Sequence, residues 1–276
     1  MGAITGQGQS FNLPNYVGEL FNVSPTDTPL LSAIGGMTGG ISVASKQFTW
    51  QTTDLAGAAQ TAVVEGADPV MKGRTRSEVT NVTQIMQYGV EVSYSKQAAV
   101  GNIAGESIIG NQPVQDELAF QLDMAMKTAA RDIEHSFIQG AYNAGANITT
   151  PRKTRGMLAA VSTNEVAGGA AALTQAKVES ALKKMADSGA PFEMPVIFAN
   201  AFQKQKLSSI YSSALALAPR DRTVGGVNIT TIETDFGQVG IVFERHIPAD
   251  DVLIADLAFL NDTYQLMMFL LLILRS

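Results

Sequence analysis

Residues 113–140 read PVQDELAFQLDMAMKTAARDIEHSFIQG. Val114, Leu118, Leu122, Ala125, Ala129, Ile133 and Phe137 recur at three- or four-residue steps, and Gln115, Asp116, Asp123, Lys127, Arg131 and Asp132 fall between them. That spacing predicts a long helix with one apolar stripe facing a core. Pro113 suits a first-turn position whose amide has no helical acceptor, Asp116 and Glu117 favour the positive end of the helix, and Gly140 closes the other end. At about 1.5 Å per residue the helix is a rod of roughly 40 Å, as long as a small domain is wide. A rod of that length suits an elongated subunit better than a compact one.

On the N-terminal side of the rod the hydrophobic period changes to two. Phe48 and Trp50 alternate with Gln47, Thr49 and Gln51, and residues 54–73 are loop-like, with Gly66, Pro69 and Gly73. From Val82 to Tyr94 the even positions Val82, Met86, Tyr88, Val90, Val92 and Tyr94 are apolar or aromatic, with Gln84 the exception. Thirteen residues of strand would extend roughly 44 Å, more than twice the usual length. The economical reading is a two-stranded hairpin over 41–85 that continues into a core strand over 86–94. Such ribbons are marginal alone in water, so this one either rests on a neighbouring chain or folds back on its own subunit. Residues 1–40, broken by Pro14, Pro25, Pro29, Gly35-Gly36 and Gly39-Gly40, form an arm too apolar to float freely, with Phe11, Leu13, Tyr16, Leu20, Phe21, Leu30 and Leu31. Within it Asp27 or Thr28 is a helix cap and Pro29 a first-turn residue. Ser95 caps a further short helical piece ending at Val100.

C-terminal to the rod lies a loop with the densest basic cluster, Arg152, Lys153 and Arg155. No aromatic residue is interleaved with these charges, which favours a solvated loop or ion-pair partners over a nucleic-acid contact. A short buried strand is expected over 156–161 and an Ala/Gly linker over 166–172. The helix 175–188 is expected to be capped by Thr174 and stopped by Gly189, with Val178, Ala181, Leu182 and Met185 inward. A strand at 196–199 leads to a helix capped by Asn200 and running to about Ser209, and strand-like runs follow at 227–234, 239–244, 252–255 and 258–264. Strand, helix, strand, helix reads as a layered α/β unit. The run Leu266 to Leu274 falls far short of the ~20 apolar residues that span a bilayer and reads as a buried strand or helix end.

Composition narrows the function classes. The net charge is -6, charged residues make up 16% and hydrophobic residues 46% of the 276-residue chain, and it has no cysteine. An acidic balance argues against a surface that grips nucleic acid throughout. The lack of cysteine removes disulfides, thiolate metal sites and thiol nucleophiles. With few charges, much of the surface is uncharged polar or covered by neighbours. The opening residues have neither a basic region nor an apolar core, so no secretion signal is expected and the chain is placed in a cytosol. His135 and His246, the only histidines, lack further ligands at metal-site spacing. Asp250-Asp251 reads as a turn pair, and neither Walker loop nor GxSxG is present. The reading is therefore not an enzyme, with no catalytic residue, cofactor or metal.

Four stretches carry a family resemblance: NYVGELFNVSPTDTPLLSAIG at 15–35, FTWQTTDLA at 48–56, SEVTNVTQIMQYGVEVSYSKQAAV at 77–100 and ELAFQLDMAMKTAARDIEHSFIQG at 117–140. In their order and wording the chain resembles the major capsid proteins of tailed bacteriophages with the HK97-type fold, closest to the group around phage SU10. The resemblance covers the chain up to about Tyr264. It implies an α+β fold with an N-terminal arm (1–40), an extended hairpin or E-loop (41–85), a peripheral domain with the spine helix (86–160 and 256–276, helix 113–140) and an axial α/β domain (161–255). It implies self-assembly into the hexamers and pentamers of an icosahedral head enclosing double-stranded DNA. The partners implied are further copies of the chain, portal, scaffold and decoration proteins and non-specifically packaged DNA, with no membrane. The location is the virion capsid, and the host cytoplasm before assembly. Candidate intersubunit contacts are Phe48, Trp50, Arg74 and Arg76 on the hairpin and Phe11 and Tyr16 on the arm. Two other readings are an encapsulin-like nanocompartment shell of the same fold, which would copurify with cargo protein and no DNA, and a monomeric α/β binding protein.

Overall fold

The computed structural model describes residues 22–38, 43–93, 117–169, 171–215, 230–260 and 272–275. The chain divides into two compact units, one of residues 1–27 and 86–132 and the other of 28–85 and 133–276. Outside the described residues lie Phe11 and Tyr16, the start of the rod at 113–116, and the helical piece expected at 95–100.

The larger unit is built on a six-stranded mixed sheet. Its strands are β3 (Glu165–Ala167), β4 (Pro195–Ala199), β5 (Thr231–Thr234), β6 (Gly237–Phe243), β7 (Asp251–Asp256) and β8 (Leu272–Arg275), in spatial order β3-β8-β7-β4-β6-β5. β4 runs parallel to β6 and antiparallel to β7, and β8 runs antiparallel to β7 and parallel to β3. The apolar runs at 196–199 and 252–255 are continuous because this sheet is covered on both faces. Ile197, Ala199, Val252 and Ile254 join one core with Val178, Ala181, Leu182 and Met185 of helix α4 (Gln175–Asp187) and Leu207 of helix α5 (Ala201–Leu215). The alternate residues Phe198, Leu253 and Ala255 join a second core with Leu30, Ile138, Met157, Val161, Ile247 and Leu260.

That second core receives the end of the long helix, α2 (Glu117–Gln139), and two short helices, α1 (Pro29–Ala33) and α3 (Met157–Ala160). Pro29 stands in the first turn of α1 as expected, but Thr28 makes no side-chain cap. The cap comes from 104 residues away: Leu30 N and Leu31 N donate to the two carboxylate oxygens of Glu134, at 2.8 and 2.7 Å. Glu134 has no exposed surface. The far end of α2 depends on glycine: Gly156 N donates to Gly140 O at 2.7 Å, and a Cβ on Gly156 would lie 2.3 Å from Gly140 N. The backbones meet so closely that no side chain fits between them.

Several elements differ from the sequence reading. Residues 157–160 form the helix α3 where a buried strand was expected, because Val161 N returns to Met157 O after Gly156. The Ala/Gly linker contains β3, which forms because β8 offers it a partner. Residues 257–259 form a 3-10 turn capped by Asp256 where a strand was expected. Thr174 precedes α4 but makes no side-chain cap, whereas Asn200 Oδ1 does accept from Gln203 N. Residues 272–275 lie in this sheet between β3 and β7. The core strand expected over 86–94 is not formed over the described residues 86–93. Met86, Val90 and Val92 are still more covered than the residues between them, so the period of two persists without a ladder.

In the smaller unit, Gln121 Nε2 donates to Glu117 Oε1 and Lys127 pairs with Asp123, each across one helical turn. The expected apolar stripe is only partly covered there: Leu118 and Leu122 are 37% and 49% exposed, while Ala129 is buried. Tyr88 Oη donates to Asp132 Oδ2 at 2.7 Å. Burial, then this hydrogen bond and the Asp132 charge, push the Tyr88 phenol up to about 12.

Two predictions follow from these contacts. Glu134→Ala leaves two covered amides without an acceptor and should cost about 3 kcal/mol or more in urea denaturation, with Glu134→Gln losing less because one acceptor remains. Tyr88 should titrate spectrophotometrically near pH 12, and Tyr88→Phe should remove that step. Because the folded-state value is raised, the contribution of the Tyr88 bond is full below the ordinary tyrosine value near 10. It declines as pH rises from there through about 12.

Candidate functional site

The hairpin predicted from the period of two is present, with strands β1 (Gln47–Thr53) and β2 (Arg76–Val82). They pair antiparallel over seven positions, from Gln47 opposite Val82 to Thr53 opposite Arg76. On β1, Phe48, Trp50 and Thr52 are half-buried and the residues between them exposed. Phe48 and Trp50 stack with centroids 6.3 Å apart, and Trp50 lies opposite Val79. The Trp50 Nε1 is covered and meets no acceptor among the described residues.

Burial grades along β2, from exposed Arg76, Ser77 and Glu78 to buried Asn81 and Val82. Asn81 is the anchor. Its Oδ1 accepts from Arg155 N at 2.9 Å and its Nδ2 donates to Arg155 O at 3.4 Å, completing a reciprocal backbone clasp. Thr154 Oγ1 donates to Val82 O, and Thr154 N donates to Gln84 Oε1. Arg155, read from sequence as part of a solvated basic cluster, places its guanidinium 4.6 Å from the centre of the Tyr142 ring. Lys153 forms a β-bridge with Asn143. An open, mainly apolar pocket beside this junction is lined by Leu30, Ile34, Asn81, Phe137, Thr154, Arg155, Met157 and Leu260.

Away from its base the hairpin is open. Residues 54–75 are exposed without exception, and the loop carries Leu55, Val63, Val64, Val70 and Met71 at 77%, 80%, 79%, 80% and 90% exposure. Arg74 and Arg76 are exposed and form no ion pair among the described residues; Arg76 Nη1 donates to Gln51 Oε1 on the opposite strand. The structure therefore brings Phe48, Trp50 and Arg76 onto one ribbon, with Arg74 two residues beyond it.

Sequence reasoning missed Asn81, Glu134, Asp256 and the approach of Gly156 to Gly140, whose place at the helix end it did read. Asn81 lies just before the stretch in which alternation was read, and both it and Val82 are buried where β2 reaches its base. Asp256 accepts from Glu193 N, Met194 N and Ala258 N, which holds the turn where Phe192 adopts φ 54° and stacks on Phe236. No local motif announces a carboxylate whose donors come from elsewhere in the chain.

The model of the SU10 major capsid protein family matches residues 3–270. Among curated proteins, none matches the chain. The fold is similar to that in the cyanophage A-1(L) capsid asymmetric unit, with a TM-score of 0.63 and 15% identity over 91% of this chain and 77% of that one. It is also similar to the capsid structure of cyanophage P-SCSP1u, with a TM-score of 0.55 and 14% identity over 91% of this chain and 80% of that one. The capsid of an empty GTA particle gives a TM-score of 0.50 and 12% identity over 95% of this chain and 94% of that one. At these identities the structural similarity shows the fold alone, a mixed α/β arrangement of the HK97-like kind. The family match runs through the arm, the hairpin, the long helix and the sheet alike, and on it the chain belongs to the SU10 major capsid protein family.

Proposed function

We propose that copies of this chain assemble as hexamers and pentamers into an icosahedral head enclosing double-stranded DNA, and that the hairpin is completed by contact with a neighbouring copy. The observation that carries this reading is the exposure of residues 54–75 with five large aliphatic side chains. A loop of that length without secondary structure is uncommon in a compact domain unless it binds something. Heterologous contacts that close by rotation let one such surface serve every position around a ring.

Each candidate residue has a physical role in this reading. Phe48 and Trp50 form an aromatic face that adds apolar area to a contact. Arg74 and Arg76 supply positive charge on a chain whose net charge is -6 and pair with carboxylates of the neighbour. Phe11 and Tyr16 anchor the arm on an adjoining copy. The working division is the arm at 1–40, the E-loop at 41–85, the peripheral domain at 86–160 and 256–276, and the axial domain at 161–255. Portal, scaffold and decoration proteins are the further partners. DNA is contacted without sequence preference, since an acidic chain offers no continuous basic track. Assembly takes place in the host cytoplasm. Among the described residues no helix is long and apolar enough to cross a membrane. The similar structures are viral and GTA capsids, which favours a head over a nanocompartment.

Deleting residues 55–72 should leave a folded monomer that forms no shells in electron microscopy, and normal particles from that deletion would refute the role given to the hairpin. Trp50 is the single tryptophan, so intrinsic emission reports on the hairpin alone. Assembly should shift that emission to shorter wavelength as the ribbon is covered, and an unchanged spectrum in assembled particles would place the neighbour elsewhere.

A further inference from the structure

Two surfaces of this chain are complementary in chemistry and do not meet within it. One is the pocket at the base of the hairpin, where Leu30, Ile34, Phe137 and Met157 give an apolar lining and Arg155 a charged one, around about 430 Å³ of space that is partly open to solvent. Arg155 is half-buried, and its guanidinium rests over the Tyr142 ring at 4.6 Å without an ion pair or side-chain hydrogen bond among the described residues. A guanidinium seated on a ring face still directs its N–H donors outward in its own plane, where a carboxylate can accept them. Arg152 and Lys153 on the same loop form no ion pair among the described residues either. The other surface is the apex of the exposed loop. Ala67 N donates to Val64 O at 3.2 Å and Gly66 adopts φ 81°, so a tight turn carries Glu65 at its tip with Val63 and Val64 leading into it. Glu65 and Asp68 are exposed and form no ion pair among the described residues.

We propose that the turn Val63-Val64-Glu65 of one copy seats in this pocket on a neighbouring copy, with the valine side chains against Leu30, Ile34 and Phe137 and the Glu65 carboxylate on the Arg155 guanidinium. This contact rests on the reading of the hairpin given above and specifies where its apex binds. Charge chooses a second copy as the occupant. The apex is negative through Glu65 and Asp68 and the loop at 152–155 is positive, on a chain whose net charge of -6 would otherwise make its copies repel. The apex does not reach its own body, since residues 54–75 are exposed without exception, so the partner surface is met only on another molecule. Two different surfaces of one chain that meet only between copies make a heterologous contact, the kind that closes rings. The apolar lining and the valines both gain by leaving water, and a carboxylate held by a guanidinium through two parallel hydrogen bonds fixes the angle at which the loop arrives.

The test is charge exchange in the full-length protein. Glu65→Arg and Arg155→Glu should each lower the fraction that sediments as particles by at least about tenfold, because like charges then face each other across the contact. The double variant, in which the charges are opposite again, should recover it. Arg155→Glu also removes the contact with Tyr142, so cross-linking supplies a measurement that does not depend on it. The chain has no cysteine, and Val64→Cys with Ile34→Cys in one chain should give, on oxidation of assembled particles, a ladder of covalently joined copies that neither single variant gives. Parent-level assembly of either charge variant, failure of a double variant with the parent melting temperature to assemble, or particles of the cysteine pair that yield no ladder would overturn the proposal. If deletion of 55–72 blocks shells and the charge variants do not, the pocket is refuted and the role of the hairpin stands. If the deletion leaves shells normal, both fall.

Discussion

A carboxylate removed from water must find hydrogen-bond donors before folding can be completed, and Glu134 finds two in the first turn of α1. The donors need it equally. A five-residue helix leaves its leading amides without internal acceptors, and Thr28 supplies no side-chain substitute. One buried side chain thus satisfies both ends of a contact between segments about a hundred residues apart. Once it forms, Leu30 and Leu31 are committed to the interior, and Ile138, one turn beyond Glu134, is placed in the same core as Leu30, against Phe198 and Leu253 of the sheet.

The hairpin is attached to this arrangement through backbone. Asn81 clasps the main chain of Arg155, Gly156 lies against Gly140, and Gly140 ends the helix that carries Glu134 and Ile138. The links at Asn81 and at Gly156 are hydrogen bonds to main chain, and the second is also a close approach that excludes any Cβ. Contacts of this kind depend on geometry, with little tolerance for displacement, so the base of the hairpin is fixed against the end of the long helix. Side-chain packing alone would have allowed more slack.

What could be read from sequence follows the range of the forces involved. The inward residues of α4, the alternation through Phe48 and Trp50, the strand after Pro195 and the Asn200 cap are local patterns, and each is recognisable within a few residues. Glu134 was invisible because both its donors are brought near only by the fold, and Asn81 and Asp256 because the partners that anchor them, Arg155 and residues 193–194, are distant in sequence. The false strand at 86–94 has the same origin in reverse. Alternation fixes which faces a segment presents, but a strand also needs a second backbone alongside, and past Val82 the partner runs out at Lys46, whose carbonyl accepts the last ladder bond from Thr83 N. β3 shows the opposite case, a segment of small residues drawn into a sheet by an available neighbour. The stripe on α2 is similar: the period of three and four places its residues on one face, but Leu118 and Leu122 on that face are exposed. For the functional surface, residue type was informative and position less so, since an exposed aliphatic loop and a buried one share the same composition.

A subunit that forms one large structure from many copies must keep its own fold independent of contacts it has not yet made. The division of labour within the larger unit meets that requirement. The two cores close around the sheet with residues that are almost entirely buried, and the junction of hairpin, helix end and α1 is satisfied internally. The loop beyond the paired strands is exposed throughout, and its aliphatic side chains stay in water without opening any core. The unmade contact therefore costs the isolated chain little, while the fixed base of the ribbon reduces the ordering entropy that association must overcome. An irregular loop on a stem fixed by backbone hydrogen bonds leaves the folding of the cores independent of whatever the loop contacts.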